Sequence, residues 1–370
     1  MNDGARQRHI AFYLPQFHPI PENDEWWGRG FTEWANVVRA RPRFRGHEQP
    51  HLPADLGFYD LRMPEARAAQ ADLAQSHGID GFCYYHYWFG DRRLLERPFD
   101  EVLASGEPTH PFCLCWANES WTRSWDGRTG SVLMRQDYTT HEREHTTWLM
   151  RAFADERYIR VDGKPLFLVY RASDLPDPLR ITRMWRDAAR AAGLGELLLC
   201  RVESFTTERT HPGALGFDAA VEFAPDWQIV SDLALQSAQQ PWRRLRRRLS
   251  SPSFEAIDYA DLLQRMLAKP HPGYLRFPCV APAWDNSARK ANGALVVRGS
   301  TPALYGEWLT AAANKADQTP GGESLVFVNA WNEWGEGAHL EPSQQWGRAY
   351  LEAHREVRRQ GNAPDEARAR

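Results

Sequence analysis

Leu325-Val326-Phe327-Val328-Asn329-Ala330-Trp331-Asn332-Glu333-Trp334-Gly335-Glu336-Gly337 is an apolar run that ends on two carboxylates set between two tryptophans. Leu325 to Val328 shows no polar alternation, which describes a strand covered on both faces, as in a parallel sheet layered with helices. Gly335 and Gly337 break any helical pattern, so Glu333 and Glu336 fall at the carboxyl end of that strand, with the short polar Asn332 beside them. Two carboxyls so placed suit glycosidic bond cleavage, where one protonates the departing oxygen and the other serves as base or nucleophile. Flat indoles suit the apolar faces of pyranoses. The bland alternative is a Trp-rich strand end whose glutamates face water, since helix surfaces carry many such pairs.

Working outward, eight short apolar or aromatic runs recur at 9–17, 79–89, 111–119, 165–172, 196–202, 218–227, 279–286 and 325–334. Segments that read as helix separate most of them: Pro64 to His77, with Pro64 in a first turn and Gly78 as a C-terminal cap, then 139–157, 177–192, 255–268, 302–315 and 344–359. This alternation predicts a parallel sheet in β/α repeats. Eight strands without a Pro-, Gly- or Ser-rich linker favour a single-domain (β/α)8 TIM barrel over a doubly wound sheet. Residues 9–360 form the expected domain, with disordered ends at 1–8 and 361–370. No nucleotide-binding glycine turn follows the first strand, where Leu14-Pro15-Gln16-Phe17-His18-Pro19 stands instead. Long insertions follow the first strand, Pro19 to Pro64, and the sixth, which contains Pro241-Trp242-Arg243-Arg244-Leu245-Arg246-Arg247-Arg248-Leu249. For this basic run a solvated loop competes with peripheral docking at an anionic membrane or onto a lipid-linked diphosphate through Arg243, Arg244, Arg246, Arg247 and Arg248.

Composition narrows the classes. The 370 residues are 42% hydrophobic and 25% charged, with a formal net charge of -3, which gives no global attraction to nucleic acid. The unusual feature is 16 tryptophans, some core filling and others recurring beside Asn, Asp, Glu and Gly as in a carbohydrate-contacting cleft. The polar start Met1 to His9 shows no secretory pattern and no stretch is apolar enough to span a membrane, so a cytoplasmic location is expected. Cys83, Cys113, Cys115, Cys200 and Cys279 read as small buried hydrophobes in a reducing compartment. Cys113-Leu114-Cys115 lacks zinc-ligand spacing; neither metal nor cofactor is expected.

In such barrels the reacting groups collect at the carboxyl ends of the strands. There stand Tyr13; Glu33 and Trp34 in Gly30-Phe31-Thr32-Glu33-Trp34; Tyr85 and His86 in Tyr84-Tyr85-His86-Tyr87-Trp88-Phe89; and Trp116, Asn118, Glu119, Trp125 and Asp126 in the Trp116-to-Gly127 block. Arg201-Val202-Glu203, then Glu222 in Glu222-Phe223-Ala224-Pro225-Asp226-Trp227, then Trp284-Asp285-Asn286 follow, and Asn332 and Trp334 complete the substrate-binding set around the expected catalytic pair Glu333 and Glu336. Singly, Glu33, Glu119, Glu203 or Glu222 reads equally as a structural partner, and His86 as a core histidine. Their joint placement at one barrel end is what points to a cleft.

Phe12-Tyr13-Leu14-Pro15-Gln16-Phe17-His18-Pro19, Gly30-Phe31-Thr32-Glu33-Trp34, the Trp116-to-Gly127 block and the Trp331-to-Gly337 motif appear in order across about 10–345. Together they resemble the WbsX-type proteins of bacterial surface-polysaccharide clusters, a group related to glycoside hydrolase family 99, the endo-α-mannosidases and endo-α-mannanases. The resemblance implies a (β/α)8 barrel that retains anomeric configuration without metal. By that resemblance Glu333 deprotonates the sugar 2-hydroxyl, which attacks C1 to give a 1,2-anhydro sugar. Glu336 acts as acid on the leaving oxygen and then as base toward water, an exception to the usual glutamate nucleophile. Tyr13, Trp116, Asn118 and Asn332 would be cleft residues.

Three functions fit these residues: a retaining glycoside hydrolase or transglycosidase acting on a surface oligosaccharide or polysaccharide such as O-antigen or capsule; a glycosyltransferase of lipopolysaccharide or exopolysaccharide synthesis; and a silent glycan-binding module. The chain has no Asp-x-Asp metal motif, which counts against the second.

Overall fold

The run Leu325–Val328 lies in the middle of a parallel sheet, with every residue buried. The computed structural model describes residues 7–123, 131–238, 254–318 and 324–361. The parallel strands are β1 (Arg8–Tyr13), β2 (Gly81–Phe89), β3 (Phe112–Trp116), β4 (Lys164–Val169), β5 (Leu198–Glu203), β6 (Ala219–Glu222), β7 (Arg276–Phe277), β8 (Cys279–Val280) and β9 (Leu325–Val328). Each of β1 to β6 pairs in parallel with its sequence neighbour, β9 returns to β1, β7 pairs with β6 and β8 with β9. Pro278 separates β7 from β8 because it has no N–H to give the ladder. Its carbonyl still accepts from Phe327 N at 2.9 Å, which joins the halves. The ring is therefore a (β/α)8 barrel whose seventh strand is split, as the alternation predicts.

Strand parity assigns the two faces. Phe12, Tyr85, Phe223 and Phe327 meet inside the barrel, with Phe12 ring centroids 5.5, 6.3 and 5.6 Å from the other three. The alternate residues Tyr13, Tyr84, His86 and Trp116 face outward and pack under the helices. The outer layer includes α1 (Pro64–Ser76), α2 (Arg97–Ser105), α3 (Glu142–Phe153), α4 (Pro178–Ala191), α5 (Trp227–Ala238), α6 (Tyr259–Leu267), α7 (Pro302–Asp317) and α8 (Ala349–Gly361). Helix α4 starts where Asp177 accepts from Arg180 N at 3.0 Å with Pro178 in the first turn, and α7 where Thr301 accepts from Leu304 N at 3.3 Å. All five cysteines are buried and unpaired.

The structure corrects several sequence expectations. Helices α2 and α5 were not foreseen. The run 279–286 is not one strand, because Trp284–Asp285 pairs antiparallel with Ala294–Arg298, which in turn pairs with Phe254–Asp258 in a separate three-stranded sheet. Both long insertions are present. The first holds short helices at Pro21–Trp27 and Trp34–Arg39, and the second holds α5 and Phe254–Asp258. Arg8 opens β1 and Gly361 ends α8, so both belong to the fold rather than to the expected tails. The basic residues Arg243, Arg244, Arg246, Arg247 and Arg248, and Trp125 and Asp126, lie outside the described residues. Among the described residues no helix is long and apolar enough to cross a membrane.

Candidate active site

After β9 the chain does not continue straight. Asn332 accepts from Leu14 N at 2.8 Å and donates to Leu14 O at 3.1 Å, clamping the end of β9 to the end of β1. Asn332–Glu333 then pairs antiparallel with Ala338–His339, and Trp334–Glu336 forms a single 3-10 turn closed by Gly337 at φ +62°. Trp334 anchors this hairpin from below: its indole donates to Glu341 Oε2 at 2.6 Å and stacks on His339 with centroids 3.7 Å apart. Glu341 is buried and also accepts from Tyr59 and Gln70, at 2.8 and 2.6 Å. Burial pushes its carboxyl up to about 7, against those hydrogen bonds.

The hairpin turns both carboxylates onto one cation. Arg289 Nη2 lies 2.8 Å from Glu333 Oε1 and Nη1 lies 3.2 Å from Glu336 Oε1. Its Nε donates at 2.8 Å to Glu33 Oε1, which also accepts from Asn36 at 3.2 Å. Gln16 reaches Glu333 Oε1 at 3.4 Å. One guanidinium thus serves three carboxylates, a use of its fan of donors that a lysine could not match. The side chain of Glu333 is 8% exposed and that of Glu336 24%, so the second is the one that faces the opening.

Charge does not balance in this cluster. Burial raises Glu333 to about 8, with Arg289 pulling it down and Glu336 pushing it up. Burial also raises Glu336, against the pull of Arg289. Arg289 stays cationic, since its three glutamates outweigh the cost of burying it. Both carboxyls of the pair are therefore held above the ordinary glutamate range, burial being the main cause and Arg289 the main opposing one.

Gly335 explains why this turn tolerates no side chain. A Cβ there would stand 2.2 Å from Glu33 Oε1 and 2.7 Å from Arg289 Nε, both groups fixed by their own partners. Gly335→Ala is expected to push the ion cluster apart, costing about 1–3 kcal/mol. Chemical denaturation checks it: a variant of unchanged stability would mean that the cluster yields freely.

On the inner barrel face Tyr85, half-buried, lies 6.4 Å from Tyr87 and 6.2 Å from Tyr170. Burial raises both neighbouring phenols, and the charge of Glu333 adds to this at Tyr87. At Tyr170 the carboxylates of Glu119 and Glu336 add to it. Tyr87 and Tyr170 thus lie within electrostatic reach of the carboxylates. Glu119 stands farther along the rim, 43% exposed and 3.0 Å from Arg171.

Other expected cleft residues are framework. Tyr13 is buried facing outward and donates to Gln70 at 2.7 Å. Trp116 packs outward against His145 and Trp185, and His86 contacts His145 at 3.0 Å and stacks on Trp148. Asn118, fully buried, ties Tyr138 to the backbone of Arg171. Trp34 donates to Tyr59 O, and the indoles of Trp331 and Trp334 are buried rather than open to a sugar. Glu203 and Glu222 share an outward register and are held by Arg201, Arg276 and Lys269. Trp284 is buried edge-on to Trp227. For Tyr13, His86, Trp116, Glu203 and Glu222 the reason is shared: a strand contributes only alternate residues to the barrel interior, and these fall on the other parity.

A family model described as Glycosyltransferase WbsX matches residues 9–354. The chain belongs to the WbsX family. WxcX of Xanthomonas campestris pv. campestris is 44% identical over 352 residues, covering 94% of this chain and 49% of its own, so the chain spans about half the length of the curated relatives it matches. Among solved structures, a GH99 endo-alpha-mannosidase from Bacteroides thetaiotaomicron aligns with TM-score 0.57 at 15% identity, covering 98% of this WbsX chain and 99% of that one. A glycoside hydrolase-like protein aligns with TM-score 0.56 at 14% identity over 96% and 95% of the two chains. The shared element is the barrel.

Proposed function

We propose that this WbsX chain is a carbohydrate-active enzyme, a retaining glycoside hydrolase or transglycosidase acting on a bacterial surface glycan. The observation that carries the reading is the convergence of Glu333 and Glu336, from one hairpin at the barrel mouth, on the single buried guanidinium of Arg289. Two carboxyls with raised proton affinity and unequal exposure suit one proton donor and one base. In the reacting complex a 2-hydroxyl that donates to Glu333 favours its anion, and the acidic proton is held on Glu336, the more exposed carboxyl, beside the leaving oxygen. The 2-hydroxyl gives its proton to Glu333 as the 2-oxygen attacks C1, and the C1–oxygen bond breaks with the leaving oxygen taking the proton from Glu336, which forms a 1,2-anhydro sugar. Water or an acceptor hydroxyl, deprotonated by Glu336, then attacks C1, and the 2-oxygen leaves C1 and takes back its proton from Glu333. A cytoplasmic site of action on a lipid-linked glycan belongs to the same proposal.

The printed family description favours a second reading, transfer from an activated sugar. Incubation with purified surface glycans and with sugar nucleotides, followed by product mass, separates them. Shortened or rearranged glycan chains are expected. Release of nucleoside diphosphate with extension of an acceptor, and no cleavage, would replace the hydrolase reading by the transferase.

A further inference from the structure

A cavity of about 780 Å³ lies behind the carboxylate hairpin, and none of Glu33, Glu333, Glu336 or Arg289 lines it. Its size is that of a small-ligand site. The walls come from three segments that follow β1, β8 and β9, among them Gln49, His51, Asp285, His339, Gln344 and Trp346. The charges that line it are largely spoken for. Asp285 Oδ2 accepts from Gln49 at 2.6 Å and meets His47 Nε2 at 2.7 Å, and Arg298 is paired with Asp258 at 2.8 Å. Glu48 stands at the exposed rim. What remains for a ligand is aromatic and amide surface: half-buried Trp346, the edge-on pair His51 and His339 with centroids 5.6 Å apart, and the exposed amide of Gln344. Such a lining offers stacking faces and neutral donors and acceptors, which suit a polyhydroxylated ring better than an anion.

The cavity also shares a wall with the reactive hairpin. His339 stacks on Trp334, the residue between Glu333 and Gly335, and a Cβ at Gly337 would stand 3.0 Å from the backbone N of Asp285. We propose that this cavity is a second saccharide site, holding neutral pyranose units of the glycan chain while the carboxylate pair acts elsewhere along it. The inference rests on the reading that the substrate is a glycan.

The test uses the full chain carrying Glu333→Gln, so that turnover does not consume the probes. Mannotetraose, maltotetraose and chitotetraose are titrated by calorimetry, with trigalacturonate and inorganic phosphate as anionic probes. At least one neutral tetrasaccharide is expected to bind, with affinity reduced about tenfold or more when Trp346→Ala is added, and several-fold with the exposed Gln344→Ala, which keeps the test open should the first variant misfold. Three results overturn it: no neutral probe binds, binding is unmoved by both changes, or the anionic probes bind in preference. Turnover of the parent chain is scored separately. Cavity binding without glycan cleavage would count against the hydrolase reading alone, and cleavage without cavity binding against the second site alone.

Discussion

Glu333→Gln and Glu336→Gln are each expected to reduce turnover by about two to four orders of magnitude while leaving glycan affinity within a few-fold, because each removes a proton-transfer group and little binding surface. A glycan-binding module would lose little of either, so unchanged behaviour of both variants would sink the enzymatic reading. The two changes should differ in stability. Glu333 is raised to about 8 by burial, so its favourable state is the neutral one. Its contribution is fully present below the ordinary glutamate range near 4.5 and is lost as pH rises through about 8. An amide in its place never ionises. The melting temperature of Glu333→Gln relative to the parent is therefore expected to climb between pH 5 and pH 9. A flat difference across that window would show that Glu333 ionises without cost.

The barrel was legible because both of its periods are written plainly. Continuous runs such as Leu325–Val328 require cover on both faces, and the segments at Pro64–Ser76 and Pro178–Ala191 carry their own start signals. The carboxylate pair was legible for a local reason, two glycines and an asparagine framing Glu333 and Glu336. What failed was parity. Tyr13 and Trp116 stand at strand ends as aromatic as Phe12 and Tyr85, yet only the latter two face the interior. A single sequence fixes that choice only through the register of eight strands together. The seventh strand failed because Pro278 divides it and because apolar Trp284 belongs to a different sheet.

Arg289 left no signal at all. It follows Asn286-Ser287-Ala288, a stretch that reads as an exposed polar turn, and its partners lie 256, 44 and 47 positions away at Glu33, Glu333 and Glu336. Yet Arg289→Ala is expected to have the largest structural consequence of any change at the site. Truncation leaves three buried or partly buried carboxyls without the guanidinium they share, and removing one partner of a buried ion pair costs about 3–5 kcal/mol. The sign of the pH dependence follows from the same cluster. Glu333 and Glu336 are already raised by burial against the pull of Arg289, so losing Arg289 raises them further. At pH 5 Glu333 is largely protonated and the loss is small; at pH 9 its ionisation would go without Arg289 and the loss is full. Arg289→Lys should recover only part, since one ammonium cannot span three carboxylates in the plane that the guanidinium does. Denaturant unfolding of the parent and both variants at pH 5 and pH 9 measures this. Equal destabilisation at the two pH values would show that Arg289 acts through packing alone, and the view that one guanidinium sets the proton affinities of Glu333 and Glu336 would have to be abandoned.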